Sequence, residues 1–466
     1  MPAPRSSRAV SSRGISPAIA GALLLCGSLA PRPAVAQHTA WTAQVASRGQ
    51  DGASVRTTAA TASGLVGELA GLFRFGDCDG PVCFPLADGS HGQHYIPPVD
   101  AGSSNGLGFL TGSIGSTVAN MPMSGAGSGA LFRFENGRPV REKISGGPIF
   151  AERARTLGRG RLFVGASMRG FDFATLRGVP LDGLVFNFVH QDMPPAGLGD
   201  PLAEHDVIQV TTRMNVSILI STFAASFGLL DRVDIGFALP MVRTSIEGHS
   251  TARVLPFGPD SPHSFGTAGD PRYTAESRVF GSAYGLGDVA ARVKARLIEA
   301  PHAGVSVVGE ARFPTGRVED LLGAGHLTWR AIGVASARYG DFSPHLNVGY
   351  LSRQNDAERD AVLATLGFDQ IIAPFATLAV DVISSWQTGD NLIPPPPPVE
   401  FPAPFARVVH LTNIPSRRDD FLDASLGVRL TTSDGITFVT NAVIPVRRAG
   451  GLQPTVGWTA GLEYTF

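Results

Sequence analysis

Apolar and polar residues alternate with a period of two in many segments of this chain, beginning near residue 161. The clearest segment is 455–466, where Val, Trp, Ala, Leu, Tyr and Phe alternate with Thr, Gly and Glu. Successive side chains of a β-strand point to opposite faces, so each segment predicts a strand with one apolar and one polar face. A tilted strand of this length crosses the hydrocarbon core of a bilayer.

The links between the predicted strands alternate in length. Twelve strands are predicted, at 161–173, 206–226, 232–246, 287–298, 303–313, 327–339, 343–353, 360–371, 374–387, 420–431, 434–446 and 455–466. Short turns near 228–231, 299–302, 340–342, 372–373 and 432–433 alternate with mostly longer loops, as in outer-membrane barrels. A soluble β-sandwich is the other interpretation of such strands, but it gives no reason for this regularity.

We therefore predict an all-β fold, a transmembrane antiparallel up-and-down β-barrel of about 12 strands. The segments 130–134 and 140–144 predict a β-hairpin. If this hairpin joins the wall, the barrel has about 14 strands.

The first 155 residues predict two further parts. Three arginines precede the apolar stretch 19–29, and Ala34-Val35-Ala36 fits a small-x-small cleavage rule, so residues 1–36 are predicted to be a signal peptide. Residues 37–155 carry short helix-like or irregular apolar patterns interrupted by Gly. We predict that they form a plug inside the barrel or a periplasmic extension, and that the barrel occupies 156–466.

Composition and charge agree with an exported barrel. The chain has 56 glycines, 43% hydrophobic residues and only 17% charged residues, which suits a protein of strands and turns. Loss of the four arginines of the signal peptide leaves 34 basic against 39 acidic residues, a net charge of −5. This balance argues against nucleic acid as a partner.

The remaining candidates for chemistry are few. Cys78 and Cys83 are the two cysteines left after cleavage, and an oxidising periplasm predicts one short disulfide between them. His91 and His94 lie in a Pro/Gly-rich loop without a third ligand nearby, so we predict no metal site. Neither a G-x-S-x-G nor an H-E-x-x-H motif occurs. The sequence therefore predicts neither an enzyme nor a bound cofactor.

Strand parity places a set of charged side chains on the inward face of the predicted wall. The predicted lumen-lining residues are Arg292, Lys294, Arg296, Glu310, Arg312, Asp234 and Arg330. One interpretation is a salt-bridge network that fills a small barrel. The other is a basic wall that attracts anionic solutes or anchors a plug.

Several turn-and-strand motifs resemble a known family. Phe-Gly-Leu-Leu-Asp-Arg-Val-Asp at 227–234, Tyr-Gly-Leu-Gly-Asp at 284–288 and Arg-Phe-Pro-Thr-Gly at 312–316 resemble outer-membrane proteins of phenol meta-pathway gene clusters. That group is loosely similar to long-chain fatty-acid and hydrocarbon channels. The resemblance implies a multi-pass protein of the bacterial outer membrane, surrounded by lipid, and a passive channel or uptake protein for small hydrophobic or aromatic solutes. The alternative is a structural or surface-adhesion barrel with a closed lumen.

Overall fold

The computed structural model describes residues 64–77, 82–87, 90–95, 111, 114–115, 117–118, 132–135, 138–141, 147, 149–190, 204–258, 263–354, 358–392 and 394–466. The predicted signal peptide, 1–36, lies outside these residues. In this part of the chain the structure is almost entirely β. A helix of eight residues, α1 (Gly64–Gly71), and two short 3-10 helices, Ser90–Tyr95 and Val318–Asp320, accompany the strands, and the described residues at 111, 114–115 and 117–118 are also helical.

The strands are numbered in chain order. They are β1 (Phe132–Glu135), β2 (Arg138–Arg141), β3 (Leu162–Leu176), β4 (Val179–Pro180), β5 (Leu184–Val189), β6 (Val207–Leu230), β7 (Val233–Leu255), β8 (Phe265–Thr267), β9 (Asp270–Arg272), β10 (Thr274–Leu286), β11 (Val289–Glu299), β12 (Ala303–Phe313), β13 (Thr328–Ala337), β14 (Phe342–Arg353), β15 (Ala361–Ala373), β16 (Ala376–Gln387), β17 (Val399–Phe401), β18 (Arg407–Val409), β19 (Phe421–Thr431), β20 (Thr437–Arg447), β21 (Leu452–Pro454) and β22 (Gly457–Thr465).

Twelve of these strands form a closed antiparallel barrel. Its order is β3-β6-β7-β11-β12-β13-β14-β15-β16-β19-β20-β22, and β22 pairs with β3 to complete the ring. All twelve predicted strands are present, and the predicted fold class is confirmed. The predicted hairpin also forms, as β1 and β2, but it is a separate two-stranded sheet. The barrel therefore has twelve strands and not fourteen.

The short turns and Phe466 lie at one end of the barrel, here called the turn end, and the long connections lie at the other, the loop end. Between the two ends, large apolar side chains are exposed on the outside of the wall, among them Phe223, Phe237, Val293, Leu366, Leu426 and Ile444. Near the loop end, exposed aromatic side chains follow one another around the wall at Tyr284, Trp329, Tyr350, Trp386 and Trp458. An apolar belt edged by aromatic residues is the surface of a barrel that spans a membrane.

Strands β6 and β7 continue beyond this belt at the loop end. They have 24 and 23 residues, and β10 pairs with the upper part of β7 while β5 pairs with the upper part of β6. Above the belt the apolar side chains point inward, where Val216, Ile246 and Val279 pack against Leu69 of α1 in one buried cluster. The sequence suggested a loop over 247–285. The structure instead extends β7 to Leu255 and returns through β10, because the interior of this upper region is filled with apolar residues.

No helix in the described ranges is both long and apolar enough to cross a membrane.

Candidate functional site

Residues 149–160, here called the crossing segment, run across the interior of the barrel. Ile149 packs against Ala379 and Val439 on one side of the wall. Further along, Ala154 packs against Val308 and Val334 on another side. The segment therefore spans the space that the wall encloses, in the half nearer the turn end.

The segment leaves the interior through a tight contact with the β6–β7 turn. The Gly160 N–H donates to the Gly228 carbonyl at 2.8 Å, and the Gly228 N–H donates to the Arg161 carbonyl at 2.9 Å. A Cβ on Gly228 would lie 1.8 Å from the Gly158 carbonyl oxygen, so only glycine permits this approach. Two residues later the chain begins β3.

Glu152 is the central polar contact of the crossing segment. Its Oε1 accepts a hydrogen bond from Arg292 Nη2 at 2.7 Å, and its Oε2 accepts one from Lys294 Nζ at 3.1 Å. The Glu152 backbone is held as well, because its N–H donates to Asn347 Oδ1 at 2.6 Å and its carbonyl accepts from Asn347 Nδ2 at 3.0 Å. All four side chains are largely buried, so these contacts are shielded from water.

A second ionic contact joins the next residue of the segment to the wall. Arg153 forms a salt bridge with Asp369 on β15. His345 Nε2 lies 2.6 Å from Asp381 Oδ1 and its Nδ1 lies 3.7 Å from Asp369 Oδ1. One arginine of the segment thus enters a buried cluster of two carboxylates and one histidine. Sequence analysis did not single out His345 or Asp369, although both lie on inward positions of their strands.

At its far end the segment is held by Asp234 of β7. The Leu157 N–H donates to both carboxylate oxygens of Asp234, at 2.9 and 3.1 Å, and the Thr156 hydroxyl donates to the Asp231 carbonyl at 2.8 Å. The crossing segment is therefore attached to the wall mainly by polar contacts, with apolar packing at Ile149 and Ala154.

A row of basic side chains follows neighbouring strands on the inward face. Glu310 of β12 accepts from Arg312 at 2.8 Å and from Arg330 at 2.7 Å. In the sheet register Glu310 also lies opposite Arg292, while Thr328 lies opposite both Arg312 and Arg353. The arginines therefore occupy two successive levels of the wall.

An interior cavity of about 110 Å³ lies between the crossing segment and the loop end. Four arginines and two glutamates supply its charged lining: Arg292, Arg312, Arg330, Arg353, Glu152 and Glu310. Its apolar lining includes Phe150, Leu351, Leu363, Ile383 and Phe421. The cavity thus has one cationic side and one apolar side.

The loop 314–327 covers part of the interior at the loop end. Asp288 accepts hydrogen bonds from the N–H groups of Gly316, at 3.0 Å, and Ala324, at 2.9 Å. A Cβ on Gly323 would lie 2.3 Å from Asp288 Oδ1, which explains the glycine beside this carboxylate.

The structure brings five of the seven predicted residues together around the cavity or the Glu152 contact: Arg292, Lys294, Glu310, Arg312 and Arg330. Asp234 of β7 lies opposite Lys294 in the sheet register, below the cavity, and its carboxylate binds the Leu157 N–H. Arg296 lies apart from the cavity, since it pairs with Glu299 at 2.9 Å and donates to the Asp231 carbonyl at 3.3 Å. A role of these residues in transport stays a prediction.

The sequence did not reveal the partner of the basic row. Glu152 lies in the stretch Gly-Pro-Ile-Phe-Ala-Glu-Arg at 147–153, which has no strand or helix period. The only feature of this stretch that indicates an ionic contact is the adjacent acid and base, Glu152 and Arg153, just before the first barrel strand.

The predicted disulfide falls at the border of the described residues. Cys83 is bonded in a disulfide. Cys78 lies outside the described residues, so its pairing with Cys83 stays a prediction. Within the described ranges, no three His, Cys, Asp or Glu side chains are grouped so that they could hold a metal ion.

No protein-family model matches the chain, and no curated protein matches it. Among solved structures, an outer-membrane channel from Pseudomonas putida F1 is similar to it, with 12% identity, a TM-score of 0.37, and coverage of 67% of this chain and 98% of that one. A Pseudomonas aeruginosa FadL homologue has 11% identity and a TM-score of 0.32 over 66% of this chain and 90% of its own. The CymD monoaromatic hydrocarbon channel has 8% identity and a TM-score of 0.31 over 66% of this chain and 88% of its own.

Proposed function

We propose that this protein is an outer-membrane channel that admits small hydrophobic or aromatic solutes, and that the crossing segment is its gate. The apolar belt supports a place in the membrane. The proposal of a channel rests on the interior cavity of about 110 Å³. The crossing segment itself forms one wall of this cavity.

The contacts that hold the crossing segment are of a kind that a moving gate can break and form again. Ion pairs and hydrogen bonds can be exchanged for contacts with water, whereas a densely packed apolar core loses its stabilisation when it opens. The segment makes such polar contacts at Glu152, Arg153 and Leu157, and its two apolar contacts are small clusters. Release of these contacts would open the turn half of the barrel.

The cavity lining supports the solute class. Phe150, Leu351 and Ile383 offer an apolar surface to a compact solute. Sites for small ligands are mostly apolar with a few polar groups that set orientation, and this cavity has that composition.

A second function is favoured by a different observation. Buried ion pairs also occupy the interior away from the cavity, for example Arg429 with Glu463. A barrel filled in this way could serve as a structural or adhesion protein with a closed lumen.

Uptake by proteoliposomes tests the two functions. The variant pair Ala154→Cys and Ser336→Cys, joined by a short thiol cross-linker, would tie the crossing segment to β13, since the Ala154 N–H lies 3.0 Å from Ser336 Oγ. We expect the wild-type protein to take up toluene and the cross-linked variant not to. The same double variant without cross-linker and each single variant with cross-linker are the controls. Absence of uptake by the wild type would favour the structural function, and equal uptake with and without the cross-link would exclude the segment as gate.

A further inference from the structure

We infer that Arg292 and Lys294 form a carboxylate-binding site, that the chain fills this site with its own Glu152, and that a solute carboxylate takes the place of Glu152 and thereby loosens the crossing segment. The inference rests on the proposed channel function and adds to it a solute class and the event that opens the gate.

The first step is the chemistry of the Glu152 contact. Arg292 and Lys294 are alternate residues of β11, so their side chains point to the same face. Each donates to a different oxygen of one carboxylate, at 2.7 and 3.1 Å. Hydrogen bonds between ionised groups are the strong ones, and arginine is over-represented where a carboxylate is recognised. The site recognises a carboxylate, and nothing in these contacts requires that it belong to Glu152.

The second step is the position of the contact at the floor of the cavity. Glu152 and Arg292 both line the cavity on the side of the crossing segment. A solute in the cavity therefore lies next to Arg292 without crossing any part of the wall. Lys294 lies one level closer to the turn end, opposite Val308 in the register.

The third step is the basic row that leads to this contact. Arg353 and Arg312 share the level of Thr328 near the loop end. Arg330 and Arg292 share the next level, at Glu310. Levels two residues apart are separated by roughly 7 Å along a strand, so cations follow one another at short intervals toward Lys294.

The charges of the lining favour an anion. Four arginines line the cavity with only two glutamates, Glu152 and Glu310, and Glu358 pairs with one of the four, Arg353, at 3.2 Å, so one positive charge remains in excess. A surplus of positive charge within a low-dielectric wall raises the local concentration of anions. The apolar side of the same cavity, with Leu351 and Ile383, suits the rest of the molecule. The ligand class is a monocarboxylate on a compact apolar or aromatic body.

The fourth step links binding to the gate. Exchange of Glu152 for a solute carboxylate keeps Arg292 and Lys294 paired, so no buried cation is left without an anion. The crossing segment, in contrast, loses its central side-chain contact. Solute binding and attachment of the segment therefore oppose each other, and such opposition is reciprocal.

The experiment measures binding and segment attachment separately from uptake. The probe is benzoate, with toluene as the neutral compound of similar shape, and the protein is the mature chain in nanodiscs. An Ala154→Cys reporter, buried in the structure, reports release of the segment through its rate of maleimide labelling. We expect saturating benzoate to raise this rate at least about fivefold and toluene to leave it unchanged.

The variant Glu152→Gln provides the reciprocal test. Without the competing carboxylate, benzoate affinity should rise about tenfold, and the reporter should be labelled rapidly without benzoate. Glu152→Asp, which keeps the charge, is the conservative control and should behave like the wild type in both measurements. If the Gln variant does not fold, the effect of benzoate on the Ala154→Cys reporter alone decides the inference. Glu299→Gln is the matched control, because Glu299 pairs with an arginine of the same strand outside the cavity. It should change neither measurement.

The outcomes separate this inference from the channel function. No benzoate binding, binding that leaves the labelling rate unchanged, or binding that slows it would each overturn the inference. Binding and faster labelling without uptake into proteoliposomes would support the inference and contradict the channel. Uptake of toluene with no effect of benzoate on the reporter would support the channel alone.

Discussion

Leu219 and Arg243 lie opposite each other on β6 and β7, at the level where the outer face of these strands changes from apolar to polar. Toward the turn end, the exposed residues of the outer face are apolar, as at Phe223 and Phe237. Toward the loop end they are polar or charged, as at Arg213 and Asn215. The pair therefore marks the upper limit of the hydrocarbon layer on this side of the barrel.

This limit predicts unequal effects of arginine at two outward positions of β6. Phe223→Arg places a charge near the middle of the apolar belt, and it should lower the free energy of unfolding by about 2–4 kcal/mol. Asn215→Arg, on the same face above the limit, should change it by less than about 0.5 kcal/mol. Urea titration of folding into lipid vesicles measures both variants. Equal losses would show that the limit is misplaced.

The alternation of turns and loops predicts which residues can be reached from outside the cell. Pro397 lies in the link between β16 and β19, and Ser433 lies in the turn between β19 and β20; both are exposed. With Phe466 in the periplasm, a membrane-impermeant thiol reagent should label Pro397→Cys in intact cells and Ser433→Cys only after lysis. Labelling of Ser433→Cys in intact cells would contradict this orientation.

The predicted bond between Cys78 and Cys83 should be present in protein purified without reductant. A bond between residues so near in sequence closes a small loop, so its loss should change local shape more than the stability of the barrel. Thiol titration of the unfolded mature chain should find no free thiol before reduction and two after it. Two free thiols before reduction would refute the pairing.

Asp288 should control the order of the loop 314–327. Asp288→Ala removes the acceptor of the Gly316 and Ala324 N–H groups, so the loop should open more often. Arg317 in this loop has a side chain that is 68% exposed, which provides a site for trypsin. Cleavage after Arg317 should be about tenfold faster in this variant, since a loss of about 1.4 kcal/mol corresponds to a factor of ten.

Asp270→Ala is the control for that experiment. Asp270 also accepts a hydrogen bond, in its case from the Arg272 side chain at 2.7 Å, but both of these side chains are exposed and distant in sequence from the loop. Cleavage after Arg317 should keep its wild-type rate in this variant. An equal rate in the two variants would mean that Asp288 does not hold the loop.

The twelve strands could be predicted because each barrel strand must present one face to lipid and one to the interior. Val293 and Leu426 are exposed on the wall, and their neighbours Arg292 and Ser425 point inward, so the two faces differ in sequence. Charged residues on the inward face were predictable by the same rule. Arg292 and Glu310, predicted from parity alone, lie at the same level of adjacent strands.

The parts that could not be predicted are those where this rule changes or does not apply. Ile218 points inward and Phe223 outward on the same strand, so the apolar face of β6 changes sides at the membrane limit. A search for apolar residues at every second position loses the strand at this level, because the apolar side chains move to the other face. The sequence prediction therefore missed the upper parts of β7 and β10. Glu152 lies on a segment without period, and its partners are more than 100 residues away in sequence.

The closure of the wall between β22 and β3 constrains the order in which the protein can be assembled. The crossing segment leads directly into β3, and the strands that enclose it all follow it in the sequence. Helix α1, earlier still, is enclosed by the upper parts of β7 and β10. If the ring closed first, the preceding chain would have to be threaded through a finished pore. The simplest order is that the sheet folds around the earlier chain while it is still open, and that the pairing of the last strand with the first is the final step of insertion.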